Sequence, residues 1–143
     1  MLDTHNLSQF KEKLLIMASH AEGMVTRAIR AHLDRDEPAA KQALETDEVI
    51  DQLEIQIDRI ALRLLADNTD DFKLRQITCG MKIAQDLERV GDEASTIARR
   101  SILLMCLPNL NTSTDITEMT FLVNAMLKDA LDAFVTGNTV LAR

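Results

Sequence analysis

The chain has 143 residues, a formal charge of −7, neither Trp nor Tyr, and 46% hydrophobic residues. That is apolar material enough for one domain with a real core, and a set rich in Leu, Ile, Ala and Met favours helices over strands. The acidic balance excludes a nucleic-acid surface, which needs a basic patch to displace counterions.

Leu7, Phe10, Leu14, Met17, Ala21, Met24, Ala28 and Ala31 recur at alternating steps of three and four. That is the seam of one long helix. Pro38 suits the first turn of a following helix, so the break is expected near Asp34–Glu37. Ala43, Thr46, Ile50, Leu53, Ile57, Ile60 and Leu64 repeat the rule, and "DNTDD" at 67–71 ends that second helix. Thr69 or Asp70 can cap the third helix.

The third segment carries two seams. One runs through Leu74, Ile77, Met81, Ala84, Ala98, Ile102 and Met105; the other through Ile83, Leu87, Val90, Ala94, Ile97 and Leu104. A helix apolar on two flanks is expected to touch two partners. Pro108 and the polar run "NLNTSTD" close it. Asp115 and Glu118 have capping-box spacing for a fourth helix, with seam Ile116, Met119, Val123, Met126, Ala130, Ala133 and Val140. Shifted by 102 positions, Met24 falls on Met126, Ala28 on Ala130, Ala31 on Ala133 and Ala40 on Ala142. Helix four thus reads as a copy of helix one that opens a second repeat.

The expected fold is all-α: an up-and-down antiparallel bundle of three long helices over 1–107, a linker over 108–114, and a fourth helix over 115–143. Cys79 and Cys106 form no CxxC and are read as reduced core thiols. No stretch approaches the roughly 20 apolar residues of a membrane span, and "MLDTHNLSQFKEKLL" lacks the pattern of a signal peptide. A soluble, cytoplasmic protein, at most peripheral to a membrane, is expected.

Acids supply the candidate chemistry. Asp47, Asp51, Glu54 and Asp58 fall on one stripe of helix two, with no basic residue three or four positions from any of them. Glu88 and Asp92 share a face of helix three, where only Asp92 has such a neighbour, Arg89. Like charges at this spacing repel, and a hard, oxygen-seeking cation would compensate. Gly91 stands between Glu88 and Asp92; without a Cβ it lets a neighbouring helix or an ion come close. The plainer reading is a tight helix crossing beside solvated acids. His5, His20 and His32 form no Glu-x-x-His pair of the ferritin type. No Gly-rich phosphate loop, nucleophile elbow or Cys₂ zinc pair occurs. The seven methionines read as core filler.

"DFKLRQITCGMKIAQDLERVGDEASTIARR", residues 71–100, with its "LERVGD" core, resembles the most recognisable helix of the PhoU-type regulators of phosphate uptake. "DEVIDQLEIQID", residues 47–58, is similar to that family's preceding helix. The resemblance implies two three-helix repeats side by side, with paired acidic motifs that hold multinuclear iron or other metals; Mn, Mg, Zn and Ca are not distinguished. Carried over, it implies Asp47, Asp51, Glu88 and Asp92 as ligands; Glu54 and Asp58, which extend the same stripe, are additional candidates. It also implies a non-enzymatic, cytoplasmic, often dimeric adaptor that links the phosphate ABC transporter to the sensor histidine kinase of the phosphate response and restrains both. The second repeat here supplies only its first helix, so its apolar face is expected to be buried in a homodimer. A metal-free structural or interaction bundle is the alternative reading. A metal-dependent phosphohydrolase is the weakest, for want of a general base or a Lys/Arg cluster near the acids.

Overall fold

The computed structural model describes residues 2–66, 70–109 and 115–143. In chain order it contains α1 (Leu2–Asp34), α2 (Glu37–Ala66), α3 (Asp71–Leu104) and α4 (Asp115–Thr136). α1, α2 and α3 each pack on the other two, and α4 lies against α1. The all-α bundle expected from periodicity is what forms. No helix among the described residues is long and apolar enough to cross a membrane.

The caps show why the helices stop where they do. Arg35 turns the chain with a left-handed φ of 55°, and the Asp36 N–H donates back to the Ala31 carbonyl at 3.0 Å. This six-to-one bond closes α1 as a Schellman motif. The Asp36 carboxylate accepts from the Ala39 N–H at 3.0 Å and so caps α2, with Pro38 in its first turn. Asp70 caps α3 by accepting from the Lys73 N–H at 2.9 Å; the other candidate cap, Thr69, lies outside the described residues.

α4 ends as α1 does. Gly137 takes a φ of 69°, the Asn138 N–H donates to the Ala133 carbonyl at 3.0 Å, and the Asn138 side chain accepts from the Leu141 N–H at 3.1 Å. Each of these residues lies 102 positions after its α1–α2 counterpart, so the two corners share one geometry at the same spacing as the matched seam residues. The corner also ends α4 at Thr136 rather than near 143, and leaves Val140 outside the helix and 84% exposed.

The core is largely the expected seams. Phe10, Leu14, Met17, Ala21, Met24, Ala28 and Ala31 of α1 are buried, as are Ala43, Ile50, Leu53, Ile57, Ile60 and Leu64 of α2. α3 does touch two helices, but its innermost line differs from either predicted seam. It runs Ile77, Gly80, Ala84, Leu87, Gly91, Ala94, Ser95, Ala98 and Ser101, mostly small residues. Small side chains let both neighbouring helices come close to the α3 backbone. Leu74 and Leu104, assigned to the seams, are exposed. Cys79 and Cys106 are free thiols as expected, yet both are exposed rather than in the core. Cys79 directly precedes the buried Gly80, and one step along a helix turns a side chain by about 100°.

α4 meets α1 partly through polarity: the Asn124 amide donates to Thr26 Oγ1 at 2.8 Å. Only Leu131 and Ala133 of α4 are buried, while Met119, Phe121, Leu122, Val123 and Met126 are exposed, Met126 to 71%.

Candidate functional site

The α2–α3 contact is built around Gly91, which is buried. A Cβ there would sit 3.0 Å from Ile50 Cδ1 and 3.7 Å from Asp47 Oδ1. Glycine costs a helix about 1 kcal/mol relative to alanine. Here it admits Ile50 of α2 against the α3 backbone, so the close-approach role read from sequence falls to a helix crossing. That crossing also sets the register that brings the acids of the two antiparallel helices into one patch.

The acids lie near enough to act on one another electrostatically. Partial burial, then the charges of Asp47, Asp92 and Glu48, hold the Asp51 carboxyl above its ordinary value of 3.8. Partial burial, then Asp58 and Asp51, raise Glu54. Glu88 is raised by partial burial, by Asp92, Glu54 and Asp51 in turn, and by a hydrogen bond with Asp92. Acids of α2 and α3 thus act on one another across the helix boundary, and ionising each one makes its neighbours harder to ionise. Asp47, Asp51, Glu54, Asp58, Glu88 and Asp92 form one linked acidic strip along the α2–α3 seam.

One basic residue sits where helical spacing alone would not put it, and another pairs at helical spacing with a different acid. Arg99 of α3 places Nη2 3.9 Å from Asp47 Oδ2, a partner that no helical spacing within α2 could reveal. Arg89, the one base at helical spacing from Asp92, instead approaches Asp86, Nη1 to Oδ1 at 3.9 Å. With its side chain 76% exposed, that pair contributes little. The strip therefore keeps most of its negative charge, with Arg99 the cation that approaches it, at the Asp47 end, among the described residues.

Carboxylate oxygens are the donors that hard cations take, and mutual repulsion is what such an ion relieves. The donor chemistry suits a hard cation in that sense. Among the described residues, however, no group of three His, Cys, Asp or Glu side chains is placed to hold one ion. Binding requires these side chains to turn toward the ion.

The PhoU domain model matches residues 14–101, which takes in most of α1, all of α2 and nearly all of α3 with the acidic strip between them. The chain belongs to the PhoU domain family. It is 34% identical over 138 residues to the phosphate-specific transport system accessory protein PhoU homolog of Aquifex aeolicus, covering 96% of this chain and 62% of that protein. To the homolog of the same description from Pseudomonas aeruginosa it is 35% identical over 150 residues, covering 97% and 62%. The crystal structure of PhoU from Pseudomonas aeruginosa superposes with a TM-score of 0.91 at 34% identity, over 96% of this chain and 67% of that one. The chain thus spans 62% of the length of these two curated relatives.

Proposed function

We propose that this PhoU-family chain is a non-enzymatic regulatory adaptor of phosphate transport. In this reading it works in the cytoplasm and restrains phosphate uptake and phosphate-response signalling by linking the phosphate ABC transporter to its sensor kinase. The family membership supports the phosphate assignment, since the Aquifex and Pseudomonas relatives are described as accessory proteins of the phosphate-specific transport system. Deleting the gene in its own host and restoring it on a plasmid tests this. Phosphate uptake and a phosphate-starvation reporter should rise without the gene and return to normal with it; unchanged uptake and reporter would sink the reading.

The metal part of the proposal rests on one observation, the cross-helix repulsion among Asp51, Glu54, Glu88 and Asp92. Asp47, Asp51, Glu88 and Asp92 would hold the ion, with Glu54 and Asp58 extending the site. Bound there, the ion supplies positive charge that clamps α2 to α3; the protein's own contribution is the register fixed by Gly91 and Ile50. Protein purified without chelator should contain iron or another multivalent metal, and Mn²⁺ should raise its thermal midpoint. Asp51→Asn with Glu88→Gln should abolish both effects. Equal metal content in wild type and variant would refute the site. The competing reading, a metal-free interaction bundle, is favoured by the contact of Arg99 with Asp47, which already supplies one cation.

Self-association belongs to the same proposal. The exposed Met119, Leu122, Val123 and Met126 of α4 make an apolar face of the kind that a second copy covers in a homodimer.

A further inference from the structure

The corners after α1 and α4 share one geometry but not the residue in the left-handed position: Arg35 stands where its counterpart 102 positions on is Gly137. Glycine enters the left-handed region without steric penalty, whereas a residue with a Cβ does so against strain. Among the described residues, Arg35 is the one non-glycine with positive φ. A strained position kept where glycine would serve points to work done by its side chain.

That work is visible. Arg35 Nη2 donates to the carbonyls of Met105 and Leu107 at 2.7 Å each, and more weakly to that of Leu104 at 3.4 Å. Carbonyls at a helix C-terminus lack partners within the helix and form its negative pole. α3 has no basic residue in its own last turn, so the cation that meets this pole comes from the α1–α2 corner. Apolar packing offers little substitute, because Leu103, Leu104 and Leu107 are exposed. A cavity of about 90 Å³ lies beside the guanidinium, lined by His32, Ser101, Pro108 and Asn109 among others. The segment after α3 is therefore held by its own backbone turns onto the end of α3 and, toward the corner, by hydrogen bonds from the Arg35 side chain.

We propose that Arg35 is a conformational latch, tying the α1–α2 corner to the end of α3 and setting the direction in which the chain leaves the three-helix bundle. With the latch closed, residues 105–109 stay folded against the corner and α4 is held on the bundle through the Asn124–Thr26 hydrogen bond and its core residue Leu131. With it open, that segment and α4 loosen together while the α1–α3 core remains intact. Such a latch operates whether or not the chain regulates phosphate transport.

Amide hydrogen exchange on the full chain tests it, comparing wild type with Arg35→Gly and Arg35→Lys. Glycine retains the left-handed corner and removes only the guanidinium. The amides of Met105, Cys106 and Leu107, which donate to α3 carbonyls, should exchange at least tenfold faster in Arg35→Gly, with α4 following, while Asp36 and the core of α1–α3 keep their protection. Arg35→Lys should fall between, since one flexible ammonium replaces a rigid fork of donors. Unchanged exchange at 105–109 would overturn the latch. Acceleration at 105–109 without α4 would overturn its hold on α4. Acceleration throughout α1–α3 would show that Arg35 stabilises the whole bundle and is no local latch.

Discussion

Adding a single methyl at Gly80 should destabilise the protein, although alanine is the better helix former. Gly80 is buried on α3 facing Phe10 of α1, itself 1% exposed. A Cβ at position 80 would lie 2.6 Å from Phe10 Cζ and 3.0 Å from Leu14 Cδ1. Carbon atoms pack comfortably at about 3.5–4.0 Å, so the ring must retreat by about 1 Å within a close-packed core. Overpacking of this kind costs about 1–3 kcal/mol, against a gain in helix propensity of about 1 kcal/mol. The net loss is then about 1 kcal/mol, or about 3–4 °C in the midpoint for a chain of this size. Gly23 supplies the control, because a Cβ there meets nothing within 4 Å. Gly23→Ala should therefore gain about 1 kcal/mol from propensity alone. Urea unfolding of the two variants should place them about 2 kcal/mol apart, with equal slopes. Phe10→Leu in the Gly80→Ala background should recover part of the loss and show favourable coupling in a double-mutant cycle. If Gly80→Ala matches or exceeds wild type, the close contact between α1 and α3 is wrong and so is the explanation of the glycine.

Asp51, Glu54 and Glu88 have raised values in the folded chain, so their favourable contribution is complete below the unfolded values and is lost as pH rises through the folded ones. The stability advantage of Glu88→Gln over wild type should widen as pH rises from about 4 to about 7 in metal-free buffer, and denaturant titrations showing a constant difference would contradict this. In sedimentation at tens of micromolar, the wild-type chain should exceed its 16.0 kDa monomer mass, and Met119→Lys with Met126→Lys should return it to that mass. A wild-type monomer with α4 ordered would end the homodimer proposal. Both Cys79 and Cys106 should react with a maleimide in the native state, since both are exposed; a thiol that reacts only in denaturant would place it back in the core.

Much of this was legible in the chain itself, for a reason that is local. Helical periodicity links residues three and four apart, so the α1 and α2 seams could be read as the buried faces they are, and Pro38 and Asp70 marked helix starts through their own chemistry. The acid stripe of α2 and the Glu88–Asp92 pair were legible by the same rule. Their convergence was an expectation from family resemblance, because spacing says nothing about which helix lies alongside. What depends on a neighbour distant in the chain came only with the tertiary structure. Arg99 reaches Asp47, and Arg35 reaches the carbonyls of Met105 and Leu107 just past α3, both through side chains long enough to choose among several partners. Both thiols are exposed: Cys79 lies on a side of α3 that no other helix covers, and Cys106 lies in the turn just past α3. Gly80 and Gly91 make the same point from inside the bundle: each reads as a flaw within one helix, and only the Phe10 ring and the Ile50 methyl pressed against them supply the reason.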